Sequence, residues 1–163
     1  MSREILRAIL KNDKNKLNTL INQGININEV SEKEKWNYLH RALMTITMVP
    51  APEIINYLIQ NGVDVNAIDI YGNTPLHYAA RLKNSQIIEV LLSVANIEVN
   101  HINNDGANPL REMLLSKPFD YDSIKLILEA GADKEQKVDG GISVKSFANT
   151  IANGDSTLIN LFA

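Results

Sequence analysis

Tyr71-Gly72-Asn73-Thr74-Pro75-Leu76-His77-Tyr78-Ala79-Ala80 reads as a turn running straight into a helix. Thr74 suits the N-cap, where its hydroxyl accepts a bond from an otherwise unpaired N–H of the first turn. Pro75 follows at the first helical position, where a missing N–H costs nothing. Ala79 and Ala80 are small, as they must be where two helix layers approach closely. Further on, Ile87, Val90 and Leu91 recur at i, i+3 and i+4, the period of a helix with one apolar face. Strand-like alternation is confined to short pieces such as Val63-Asp64-Val65-Asn66, which predict extended turn arms and no true sheet.

Working outward, the same pieces return at a fixed interval. Leu58-Ile59 precede Leu91-Leu92 by 33 residues, and Gly72 precedes Gly106, as Asn66 precedes Asn100, by 34. With the run Thr74-Pro75-Leu76-His77-Tyr78-Ala79, this resembles the ankyrin repeat, whose signature is T-P-L-H-x-A in units of about 33 residues. The resemblance implies an all-α fold, an ankyrin-repeat solenoid of stacked helix-turn-helix units with β-turn tips. It divides a single domain, 1–163, into five units at approximately 1–30, 31–66, 67–102, 103–137 and 138–163. Unit two closes on Asn61-Gly62-Val63-Asp64-Val65-Asn66 and unit four on Ala130-Gly131-Ala132-Asp133, so Gly24, Gly62 and Gly131 are expected in the left-handed conformation that ends a helix. In this family the histidine at the position of His77 bonds within the turn network, and a structural role is expected of it here. Units one and five are degenerate, as repeats with one neighbour are.

The departures from the pattern are specific. Unit two has four extra residues between its helices, in the apolar stretch Thr45-Ile46-Thr47-Met48-Val49-Pro50-Ala51-Pro52. Unit four is lengthened around Lys117–Asp122, has Asn108 as a cap in place of threonine, and has Arg111 where the family has histidine. The last turn is longer, around Asp139-Gly140-Gly141-Ile142-Ser143.

Composition removes several classes of function. Net charge is −3, which argues against nucleic acid as the main ligand, because a phosphate-binding surface needs a basic stripe. Arg3, Arg7, Lys11, Lys14 and Lys16 do gather at the start, and are read as a solvated face. There is no cysteine, so disulfides, thiol catalysis and cysteine-ligated metal are out; His40, His77 and His101 lack ligand spacing. No apolar run approaches the ~18 residues of a membrane helix. No nucleotide-binding, metalloprotease or serine-hydrolase motif occurs. The expectation is a non-enzyme with no cofactor and no metal, cytoplasmic, a monomer when free. The abundance of Asn and Ile, a bias of AT-rich genomes, points to a bacterial or parasite source.

What remains is surface. The resemblance places binding residues at the turn tips and at the exposed ends of the first helices. Carried over by position, this gives Ile70, Tyr71, Asn73, Arg81 and Leu82 in unit three. Unit two contributes Glu34, Trp36, Met44 and Thr45, and unit four Asn104, Asp105, Ala107, Leu115 and Ser116. Trp36, Tyr71 and Arg81 are the expected anchors, since Trp, Tyr and Arg dominate binding hot spots. For Trp36 a second reading stands beside the first: it folds over Leu39 and packs on Tyr71 as core. Phe119 and Tyr121 form a rival surface on the second-helix side. The function expected is a protein-protein interaction module that sequesters or inhibits one partner in a one-to-one complex, in its narrowest form a bacterial immunity protein. The alternative is a secreted effector or adaptor acting on host proteins.

Overall fold

A computed structural model describes every residue of the chain except Ile46, which lies in the apolar insertion of unit two. The described residues form ten α-helices in five antiparallel pairs: α1 (Arg3–Leu10) with α2 (Lys14–Asn22), α3 (Tyr38–Leu43) with α4 (Pro52–Gln60), α5 (Pro75–Leu82) with α6 (Ser85–Leu92), α7 (Pro109–Met113) with α8 (Tyr121–Glu129), and α9 (Val144–Ala152) with α10 (Ser156–Leu161). They stack in chain order. Among first helices α1 packs on α3, α3 on α5 and α5 on α7; among second helices α4 packs on α6, α6 on α8 and α8 on α10. Each pair is too small to bury its own apolar face, so neighbours supply the core. One continuous core runs through the stack, from Ile5 and Ile9 through Leu39, Leu58, Leu76 and Leu91 to Leu110, Ile127 and Phe162.

Caps set the helix starts as the sequence predicts. Thr74 precedes Pro75 at the head of α5; Asn108 accepts from the Arg111 N–H at 2.8 Å; Asp155 accepts from Leu158 N–H at 3.0 Å. Gly24, Gly62 and Gly131 end second helices with φ of 87°, 86° and 93°. Among the described residues there is no strand, only an isolated bridge between Lys137 and Ser143 that spans the lengthened last turn, where Asp139–Gly141 form a single 3-10 turn.

Three sets of bonds cross between neighbouring pairs, and all three are present at the two central junctions. At the tips, Ile70 N–H donates to Glu34 O at 3.1 Å, Asn104 N–H to Tyr71 O at 3.0 Å and Asp139 N–H to Gly106 O at 2.8 Å. At the opposite turns, Asn28, Asn66 and Asn100 side-chain amides donate to the carbonyls of Asn61, Asn96 and Gly131. Between them, His40 Nε2 donates to Asn73 O and His77 Nε2 to Ala107 O, each at 3.1 Å. Because a carbonyl can only accept, the proton of each ring sits on Nε2. That leaves Nδ1 to accept from Asn37 N–H in one case and Thr74 N–H in the other. Both nitrogens are then committed, and protonating Nδ1 would set donor against donor. Burial lowers both histidine pKa values, His77 to about 4.

At the next position Arg111 replaces the histidine. Its guanidinium carbon lies 3.3 Å from the centroid of the Phe147 ring, a cation–π stack onto α9. Its Nε and Nη1 are buried without a hydrogen-bond partner among the described residues.

Candidate functional site

Buried side chains organise the tips. Asp69 is 4 % exposed, yet its carboxylate meets four donors. Oδ1 accepts from Tyr71 N–H and Asn73 N–H at 2.9 Å each, and Oδ2 from Tyr78 OH at 2.6 Å and Trp36 Nε1 at 3.1 Å. Asn103 does the same in the next tip, accepting from Asp105 and Ala107 N–H. A buried carboxylate with every lone pair used fixes geometry.

On this frame the expected residues divide. Ile70, Tyr71, Met44 and Leu115 are 45 %, 51 %, 37 % and 55 % exposed, which is costly for apolar side chains unless something covers them. Asn104 and Asp105 are also exposed, although the Asn104 amide is tied to Ile70 O at 3.0 Å. Leu82 is half-buried. Arg81 keeps one edge in solvent, but its fork is bidentate on the buried Glu112 (2.9 and 2.8 Å) and reaches Asn73 Oδ1 at 3.1 Å.

Four expectations need correction. Asn73 is 3 % exposed, and its side chain accepts from Arg81 and Asn103 and is closed to a partner. Ala107 is buried as well, because its carbonyl is the acceptor for His77. Phe119 is 8 % exposed and closes the core beside Tyr121, whose hydroxyl donates to Asp155 at 2.6 Å; the rival surface is absent there. Trp36 departs from the core reading of it: it is half-buried, it bonds Asp69 and not Tyr71, and the Arg41 guanidinium lies 5.2 Å from its ring centroid.

Two hollows flank Arg81 on the first-helix side. One, of about 240 Å³, is walled by Leu43, Met44, Tyr78 and Leu82; the other, of about 390 Å³, by Asp105, Arg111, Leu115 and Asp139. The second hollow also takes in the Glu112 carboxylate, which the Arg81 fork already holds in a bidentate pair. Among the described residues no cluster of His, Asp and Glu could hold a metal, and no helix is long and apolar enough to cross a membrane.

Sequence reasoning missed a second exposed series. Val30, Ile68 and Ile102 are 46 %, 48 % and 41 % exposed. Each stands two residues after a turn asparagine, in Asn28-Glu29-Val30, Asn66-Ala67-Ile68 and Asn100-His101-Ile102. That recurrence was a usable signal, because an aliphatic residue repeated in an extended arm next to solvent has no packing reason to recur.

Comparison with known proteins agrees with this geometry. The family model for ankyrin repeats (three copies) matches residues 5–103 and again 43–138. An ankyrin repeat protein of Fowlpox virus (FPV244) is 31 % identical over 112 residues, covering 68 % of this chain and 16 % of its own length. The nuclear factor NF-kappa-B p105 subunit of Rattus norvegicus is 32 % identical over 104 residues, 61 % of this chain and 10 % of its own. The probable 26S proteasome regulatory subunit p28 of Saccharomyces cerevisiae is 27 % identical over 117 residues, 72 % of this chain and 44 % of its own. The chain thus spans less than half the length of each of these relatives. Helix pairs stacked in file, tips bonded to tips, a buried histidine passing a bond to the next pair and the match over residues 5–138 together place this chain in the ankyrin-repeat family, a non-enzymatic interaction fold.

Proposed function

We propose that the chain binds one partner protein through the tips and first helices of its second to fourth helix pairs, and acts by occupying that partner. The observation that supports this is the row of solvent-exposed apolar side chains Met44, Ile70, Tyr71 and Leu115 on a frame that internal hydrogen bonds hold still. A preorganised surface loses little entropy on binding, so contact area is converted efficiently into affinity. Tyr71 is the anchor and Arg81 a rim contact, because the Arg81 fork already serves Glu112. In this reading the complex is one-to-one, buries roughly 800 Å² or more per partner, and forms in the cytoplasm from a free monomer. The relatives named above are viral, fungal and animal, and the narrower expectation of a bacterial immunity protein gains nothing from them.

The test is affinity capture from the native cell with the wild-type chain and a Tyr71→Ala, Leu115→Asp double variant. One stoichiometric protein, held by the first and lost by the second, is expected. The same protein held by both would overturn the assignment of the surface.

A further inference from the structure

The first helix has a groove that the tip surface does not account for. Leu6 and Leu10, one turn apart on α1, are only half-buried, and with Met48 of the lengthened α3–α4 connection they floor a hollow of about 330 Å³. Met48 is 48 % exposed. Arg3, Arg7 and Lys11 edge the hollow, spaced four residues apart and so about 6 Å apart along the helix. No acidic side chain lines it; Glu4 and Asp13 line an adjoining hollow, which shares Arg7 and Lys11 with this one. None of the three cations makes an ion pair among the described residues. Residues 1–16 carry +3 while the other 147 carry −6, so this is a local positive field on an acidic protein.

We propose that this groove, floored by Leu6, Leu10 and Met48 and edged by Arg3, Arg7 and Lys11, is a docking site for an acidic amphipathic segment of a partner protein. Apolar residues of the segment seat on the two leucines, and its carboxylates pair with cations at matching one-turn intervals, in the manner of a helix laid in a groove. Methionine, unbranched and polarizable, adapts to the seated side chains. The charges steer encounter and fix polarity more than they add affinity. An anionic bilayer is the lesser fit, because its surface would repel the acidic remainder of the chain. This inference shares with the proposed function only the premise that a protein is bound, since it does not use the tips.

The test is fluorescence anisotropy of the full chain with a synthetic amphipathic helical peptide whose leucine stripe is flanked by glutamates, and with a twin carrying lysines instead. The glutamate peptide should bind at least about tenfold more tightly than its twin, with an affinity that falls as salt is raised. An Arg7→Glu, Lys11→Glu variant and, separately, Met48→Asp should each weaken it by about tenfold or more, while Tyr71→Ala leaves it unchanged. On titration the Met48 methyl resonance of the wild-type chain should shift and that of the buried Met113 should not; this readout holds even if a variant fails to fold. Equal binding of the two peptides, an unmoved Met48 methyl, or binding to phosphatidylserine vesicles without binding to the peptide would each overturn the proposal.

Discussion

The junction between α5 and α7 and the junction between α7 and α9 differ at one ladder position. In the first, the side chain reaching across is His77, neutral, with both nitrogens bonded and its Nε2–H donated to the carbonyl of Ala107. In the second it is Arg111, stacked on Phe147 with two buried nitrogens unpaired among the described residues. The tip bond survives in both, as Asn104 N–H to Tyr71 O and Asp139 N–H to Gly106 O. A repeat protein can therefore keep its backbone register while one junction loses its buried side-chain bond, and stability should vary along the stack with it.

The largest effect should come from the core where both neighbours are present. Leu91 in α6 is fully buried between α4 and α8, and Leu91→Ala should cost about 2–5 kcal/mol in urea unfolding. Leu158 in α10 is equally buried but packs on α8 and its own pair, so Leu158→Ala should fall at the low end of that range. Equal losses would remove the gradient.

The ladder itself comes next. His77→Leu leaves the Thr74 N–H buried and unpaired and takes one of two donors from the Ala107 carbonyl, which keeps Asn103 N–H, and should cost about 1–3 kcal/mol. Arg111→Met removes two unpaired nitrogens along with the stack on Phe147, and should change stability by less than about 1 kcal/mol. The pH dependence follows from His77. Its folded pKa, about 4, lies below the ordinary 6.5, so between these values the unfolded chain binds a proton that the folded chain excludes. The stabilisation is present above pH 6.5 and is lost as pH falls towards 4; His40 contributes with the same sign. Denaturation of His77→Gln at pH 7 and pH 5 should show a smaller loss on acidification than the wild type. An equal loss would place the titration elsewhere.

At the tips, Gly72→Ala should cost about 1–3 kcal/mol. The residue has φ +76°, and an added Cβ would lie 2.8 Å from the backbone nitrogen of Asn104 in the next tip. Gly24→Ala meets nothing within 4 Å and should show backbone strain alone. Smallest of all, Tyr71→Ala should move stability by less than about 0.5 kcal/mol while weakening the partner complex. A loss in folding with unchanged binding would make Tyr71 structural.

Much of this was legible in the sequence. Cap residues, helix-ending glycines and the 33- to 34-residue interval depend on local chemistry, and they fell where Thr74, Asn108, Gly62 and Gly131 implied. The site was less legible, because exposure depends on what crosses from the next pair. Asn73 looked like a tip residue and became the meeting point of Arg81 and Asn103; Trp36 found Asp69, 33 residues away. Asn103 and Asp69 each come from a neighbouring repeat, which a reading confined to one unit does not supply. Arg111 was visible as a departure from pattern, but its consequence needed the position of Phe147.

The most direct test is amide hydrogen exchange of the free chain, resolved by residue, comparing α1 with α9. Each is the first helix of an outermost pair, so fraying alone would treat them alike. Stability set by the packing and bonds that cross each junction predicts slower exchange in α1, which packs on α3 and whose leading residues bond Glu29 and Tyr38, than in α9, where Arg111 replaces the histidine, with the slowest amides in α3 to α6. Exchange in α9 as slow as in α3 to α6, or uniform along the chain, would contradict it.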